Sequence, residues 1–335
     1  MEKVLFIAHT EADGSLPKAA FEALTAAISV GGELTVGLIG AEVQAAADSI
    51  AGCGAKAFLA VSGAPFGEAR YSTDAAAVTA LVQQAAPTVV IAPTTARFSR
   101  CLPGAAGRCG GRIDTHITAL LLEKGTLEAQ RWFYRQRMVA TLSRSQRPWF
   151  LLIDAGVCEP FSGAGSASPQ SVAVDAGTPR TTVVGIQTPD VGTQTIRPEA
   201  ELLLVAGAGW TKKQADGQIH IKDAESCILD FLGATKASLG STKSLVDQEG
   251  EDGAVLPFMS HLNQVGQTGS TPRHRKGLAT CCHGEEPHTV GWRFIGERRA
   301  ISLNPNCGWA QGKADVLYVA DAFAVMAKVN ALLKG

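Results

Sequence analysis

Thr88-Val89-Val90-Ile91-Ala92-Pro93 carries four apolar residues in succession with no polar alternation, and such a run suits a strand covered on both faces. Outward from it the chain keeps one rhythm. Short β-branched runs, Val4 to Ala8, Leu34 to Ile39 and Ala57 to Val61, alternate with Ala-rich stretches, Pro17 to Ile28, Ala41 to Ala51, Thr73 to Ala85 and Arg97 to Cys109. That order predicts a parallel sheet flanked by helices. Between about Thr115 and Asp154 the pattern changes to successive strand-like segments, Gln130 to Tyr134, Arg137 to Leu142 and Trp149 to Asp154, with no helix between them. These predict an antiparallel extension.

The rhythm restarts near Arg197-Pro198-Glu199, where Leu202-Leu203-Leu204-Val205-Ala206-Gly207 reads as a fresh buried strand. A helix over Asp223 to Gly233, strands over Leu278 to Cys282, Ala300 to Leu303 and Val316 to Ala320, and a closing amphipathic helix over Phe323 to Leu333 follow. At 335 residues the chain is long enough for two domains, expected at 1–196 and 197–335. The Gly/Ser-rich stretch Phe161 to Pro169 reads as a surface loop and not a phosphate cradle, because no strand-turn-helix frame surrounds it.

A formal net charge of -1 and a pI near 6.7, with no block of like charges, give no electrostatic footprint for nucleic acid or for an anionic membrane surface. The opening apolar stretch is too short for a signal-peptide core and no apolar run approaches the ~18 residues that span a bilayer. A cytoplasmic protein without membrane insertion is the expectation. Eight scattered cysteines are expected to be reduced, mostly as small core residues.

Two segments bear on chemistry. Gly207-Ala208-Gly209 follows a strand but lacks the third glycine of a dinucleotide fingerprint, so a plain turn is the simpler reading; carboxyl ends of strands are nonetheless where open α/β sheets bind ligands. Asn263-Gln264-Val265-Gly266-Gln267-Thr268-Gly269-Ser270 interleaves glycines with amide and hydroxyl side chains. Such a loop exposes backbone N–H groups beside side-chain donors, as a pyrophosphate or a flavin edge requires; otherwise it is a polar turn. Cys281-Cys282-His283 with His288 and Cys307 offers thiolate and imidazole, but adjacent cysteines at a strand end point to opposite sides and no Cys-x-x-Cys occurs, so no metal site is assigned. No base or oxyanion hole is positioned for a Cys/His nucleophile.

Gln264 to Gly269 reproduces in full the Q-V-G-Q-T-G pattern of electron-transfer flavoprotein alpha subunits. In the same order, Gly240-Ser241-Thr242-Lys243-Ser244-Leu245-Val246-Asp247 is similar to that family's G-A-S-R-A-A-V-D, His283 to His288 falls on its S-G-A-I-Q-H, and Leu303-Asn304 on its I-N. Asp321 lies where an aspartate follows the last strand. Val4 to His9 with Gly14-Ser15-Leu16, Ala92 to Thr95, and Phe133 to Leu142 resemble the family's first domain, so the resemblance covers nearly the whole chain.

The resemblance implies an α/β fold with an N-terminal parallel domain, its antiparallel extension contributing to a partner-contacting unit, and a C-terminal flavodoxin-like FAD-binding domain. It implies FAD contacts at Thr242, Lys243, Gln264, Val265, Gly266, Gln267, Thr268, Gly269, His283, Gly284, Pro287, His288, Asn304 and Asp321, with no catalytic residue of its own. It also implies a beta-subunit partner carrying AMP or a second flavin, a flavin-dependent dehydrogenase as donor, and a downstream acceptor. Protein charges and hydrogen bonds around a flavin set its potential, and Lys243 and His288 are the groups expected to do so. Three departures stand out. Ala208-Gly209-Trp210 replaces a G-R-G turn and removes a cation; Lys243 replaces an arginine and loses the planar fork; and Glu285 and Glu286 add carboxylates to the loop expected at the flavin. The missing cation and the altered His283 to His288 loop raise the alternative of a structural or docking subunit of a larger oxidoreductase complex that has lost tight FAD binding.

Overall fold

The computed structural model describes residues 2–123, 125–133, 138–185, 196–197, 200–247, 254–266, 273–280, 295–306 and 314–335. The chain divides into two units, Met1–Ile186 and Gln187–Gly335.

In the first unit the strands are β1 (Lys3–His9), β2 (Glu33–Gly40), β3 (Ala57–Ser62), β4 (Val89–Pro93), β5 (Arg112–Glu123), β6 (Thr126–Phe133), β7 (Met138–Ser143), β8 (Trp149–Ile153) and β9 (Gln170–Ser171). Its helices are α1 (Lys18–Ser29), α2 (Gln44–Ser49), α3 (Ala64–Gly67), α4 (Tyr71–Ala85) and α5 (Ala96–Arg108). They build a nine-stranded sheet in the order β7-β6-β5-β8-β4-β1-β2-β3-β9. Only the β5-β6 and β6-β7 pairs are antiparallel; the remainder run parallel. The central order β3-β2-β1-β4-β8 is that of a doubly wound dinucleotide-binding sheet.

Burial on both faces explains the unbroken apolar strands. Every residue of β4 is buried, with Val89 and Ile91 in one core layer beside Phe6, Leu24 and Trp149. Val90 and Ala92 lie in the other, beside Ile7, Leu81, Phe98 and Phe150. Two sequence expectations need correction here. Trp149 to Asp154 does not belong to the antiparallel extension: β8 pairs parallel with β4 over Val89↔Trp149 to Pro93↔Ile153, and all five residues are buried. The extension is made instead by β5, β6 and β7, and β5 was not anticipated over Arg112–Glu123. A register shift between Asp114 and Ile117, with His116 at φ 59°, breaks the alternation by which a strand is read.

In the second unit the strands are β10 (Leu202–Ala206), β11 (Ser238–Ser241), β12 (Lys276–Thr280), β13 (Glu297–Ser302) and β14 (Val316–Val319), with helices α6 (Ile221–Thr235), α7 (Lys243–Asp247) and α8 (Ala322–Lys334). All neighbours pair parallel, in the order β11-β10-β12-β13-β14. Counted from the first strand of the unit this is 2-1-3-4-5, the flavodoxin-like order. Leu204 and Ala206 face a layer holding Ile228, Phe231 and Met326 of α6 and α8, while Leu203 and Val205 face Val265, Ala279, Ile295 and Ala300. Among the described residues no helix is long and apolar enough to cross a membrane.

Candidate functional site

Because all five strands of the second sheet run the same way, their carboxyl ends share one edge, and ligands of such sheets bind outside that edge. Thr242 and Lys243 leave the end of β11, Asn304 stands two residues past β13 and Asp321 two past β14. Gln264 is tied to the same end by a bridge to Ser241, and Val265 N donates to Ser241 O at 3.0 Å. Thus the seven predicted residues that are described, Thr242, Lys243, Gln264, Val265, Gly266, Asn304 and Asp321, lie along one edge of the sheet. Gln267, Thr268, Gly269, His283, Gly284, Pro287 and His288 lie outside the described residues.

Local chemistry fixes each of the seven. Thr242 is buried, its N–H donating to Ala206 O at 2.9 Å and its Oγ1 accepting from Leu245 N at 3.3 Å, so it holds the start of α7 against β10. Lys243 is half-exposed and pairs with Asp247 one turn on, Nζ to Oδ2 3.3 Å; His261 Nδ1 lies 3.5 Å from the same carboxylate. Such an exposed pair is weak, so the Lys243 ammonium is held only loosely. Gln264 and Val265 are buried, and Gly266 takes φ 129°, a conformation that favours glycine. Gly240 is required by close packing, since a Cβ there would stand 2.6 Å from Val265 Cγ2. Asn304 Oδ1 accepts from Asn306 N at 2.9 Å. Asp321 is the N-cap of α8, accepting from Ala324 N at 2.8 Å.

Two residues outside the predicted set shape this edge. Trp210, in the short 3-10 turn Ala208–Thr211 that follows β10, is wholly buried. Its Nε1 donates to Thr280 Oγ1 at 2.9 Å, and its ring meets Phe323 edge-on, centroids 4.5 Å apart. Gly207 N also donates to Thr280 O, at 2.9 Å, so Gly207 to Gly209 forms a turn clamped to β12 and not an open phosphate loop. Ser241 is wholly buried at the end of β11, and its Oγ has no hydrogen-bond partner among the described residues. A buried orphan hydroxyl is unfavourable unless a ligand or water answers it, and with Thr242, Lys243 and Gln264 at the same strand end this end of the sheet fits a polar cofactor. In sequence the only signal for Ser241 is its place beside Thr242, and alternation hides which of two adjacent hydroxyls faces the core.

The first unit has its own switch point, between β1 and β4. There His9 is buried, Nε2 3.1 Å from Thr95 Oγ1, its ring edge-on to Phe98 at 5.1 Å. Burial, with the positive charge of Arg97, pushes the imidazole down to about 4, so it is neutral near pH 7 and serves as a packed, uncharged plug. Thr95 caps α5, accepting from Phe98 N at 3.2 Å.

The chain is therefore a two-unit α/β protein whose second unit is a doubly wound sheet with polar residues gathered at its ligand edge. Residues 4–177, just over half of it, match the electron transfer flavoprotein domain, and the chain belongs to that family. Over 326 residues it is also 27% identical to the electron transfer flavoprotein subunit alpha of Syntrophomonas wolfei subsp. wolfei (strain DSM 2245B / Goettingen), spanning 96% of both chains. The domain match falls in the first unit, so the likeness of the second rests on this full-length similarity and on its strand order.

Proposed function

We propose that this chain is the FAD-binding alpha subunit of a heterodimeric electron transfer flavoprotein, working in the cytoplasm between a flavin-dependent dehydrogenase and a downstream redox acceptor. The observation that carries the proposal is the 2-1-3-4-5 parallel sheet, with Thr242, Lys243, Gln264 to Gly266, Asn304 and Asp321 following the ends of its strands. FAD, when bound, supplies the acceptance and release of electrons. The chain's own part is to hold and tune it. Thr242 and Gln264 offer buried polar contacts beside the orphan Ser241 hydroxyl, Gly266 supplies a turn that brings backbone close, and the Lys243 ammonium offers the cation that favours added negative charge on a bound ring. Gln267 to Gly269, His283, Gly284, Pro287 and His288 complete the set in this proposal. The second subunit, of the beta class with AMP or a further flavin, closes the dimer.

Purifying the chain together with its partner and recording the visible spectrum tests the proposal. A flavin band corresponding to about one FAD per dimer supports the carrier. A second reading, a docking subunit without tight FAD binding, draws on Trp210 and on the missing cation at Ala208 to Trp210; a folded but colourless complex that takes up no added FAD would establish it instead.

A further inference from the structure

Lys243 and Asp247 stand at opposite ends of α7, each at the end that suits it least. Helix polarity favours acids in the first turn and bases in the last, and an i,i+4 pair is stronger when the acid comes first. In α7 the base comes first, with no acid in the first turn and no base in the last. Nonetheless the two meet, Nζ to Oδ2 3.3 Å. The pair runs against the local energetics of its own helix, and breaches of that kind gather at functional sites.

The carboxylate has a second neighbour. His261 Nδ1 lies 3.5 Å from its other oxygen, Oδ1, on the short turn His261–Asn263. That turn is firmly held: Ser260 and Asn263 cap it reciprocally, and Asn263 Nδ2 donates to Leu239 O of β11 at 3.2 Å. Gln264 follows directly and bridges to Ser241. Asp247 therefore joins α7 to the turn that leads into Gln264 to Gly266, one oxygen toward each side. Side-chain exposures of 44% for Lys243 and 38% for Asp247 leave the ammonium free to change partners at small cost. When it leaves, His261 stays beside the carboxylate as a polar neighbour.

We propose that Asp247 is the resting partner of the Lys243 ammonium and competes for it with the anionic groups of the cofactor, so that Asp247 sets how much of that positive charge reaches the bound ring. This rests on the FAD-binding reading above. Asp247 is then a positioning residue: it touches no cofactor atom and acts only through Lys243.

The test uses the full chain copurified with its partner, stripped of flavin, titrated with FAD, and then taken through a redox titration. Asp247→Asn is expected to lower the FAD dissociation constant about two- to fivefold, the strength of an exposed ion pair, and to move the first reduction potential upward, opposite to Lys243→Ala. Asp247→Glu, which keeps the charge, is expected to leave both near the wild-type values. In a Lys243→Ala background, Asp247→Asn is expected to move each reading by less than half as much, because no ammonium remains to be released. Equal shifts with and without Lys243 would mean that the carboxylate acts by its own field and would overturn the proposal, as would an Asp247→Asn complex whose affinity and potential match the wild type. Either result leaves the FAD-binding reading intact. A wild-type complex that takes up no FAD would overturn both.

Discussion

Replacing Arg97 by methionine breaks a buried ion pair that the first unit builds between α4 and α5. The guanidinium places Nη2 2.6 Å and Nε 3.0 Å from Asp74 Oδ1, and the same Nη2 donates to Phe66 O at 2.6 Å and Glu68 O at 3.2 Å. Side-chain exposures of 7% and 1% leave no room for water to take its place. Burial raises the Asp74 carboxyl above the usual carboxylate range, and Arg97 is the chief group holding it down. Breaking a buried pair from one side costs about 3–5 kcal/mol. The half-exposed Arg100, 3.8 Å from the same carboxylate, remains to offset part of it, so about 3 kcal/mol is expected for Arg97→Met. The double variant Arg97→Met/Asp74→Leu should regain at least about 2 kcal/mol of that, because a well-filled apolar pair carries no stranded charge. The sign with pH follows from the raised carboxyl. Its contribution is complete below the unfolded carboxylate range and is lost as pH rises through the folded value; losing Arg97 raises that value further. The deficit of Arg97→Met should therefore be greatest at neutral pH and shrink toward about pH 4. Urea unfolding followed by circular dichroism measures all of this. A single-variant loss under about 1 kcal/mol, or a double variant that loses the sum of the two singles, would refute the reasoning.

Three further outcomes are expected. The depressed His9 pKa means that stability is complete above the unfolded value near 6.5 and drains as pH falls toward about 4, by an amount of order 3 kcal/mol; His9→Gln should flatten that limb, and equal acid slopes in the two proteins would count against a buried neutral imidazole. Gly240→Ala should press on Val265 and destabilise by about 1–3 kcal/mol while loosening FAD, read by thermal unfolding and FAD titration, with normal values in both showing that the turn gives way freely. Lys243→Ala should lower the first reduction potential of the bound cofactor by removing a cation near it, and a redox titration without any shift would place that ammonium elsewhere.

How far the fold can be read from the sequence varies with how each segment is buried. β1, β4 and β10 announce themselves because burial on both faces enforces unbroken apolar runs, and α4 and α6 because one face alone is covered. β11 does not: Ser238-Leu239-Gly240-Ser241 is a wholly buried strand written mostly in small and polar residues, whose side chains answer local contacts such as Ser238 Oγ with Arg197 O at 2.8 Å. β5 is hidden by its bulge, and β8 is legible as a strand but not in its pairing, since an apolar run carries no record of its neighbour's direction. At the site, the motif residues from Thr242 to Gly266 sit on a strand end as their order suggests. The packing of Trp210 was not legible, because Ala208-Gly209-Trp210 reads only as a lost cation until the indole is seen to reach Thr280.

The Gly/Ser stretch after β8 has the composition of a tether yet behaves as a clasp. Gly52 N donates to Gly163 O and Gly165 N to Asp48 O, each at 2.8 Å, Gln44 Nε2 donates to Ala167 O at 2.9 Å, and the segment then lays Gln170–Ser171 along β3. It thus returns the chain from the middle of the nine-stranded sheet to a far border, where an unpaired β3 would invite another copy to add on. A first unit ending just before Gln170 would keep β1 to β8 and lose its hem, and self-association is the failure to expect from it.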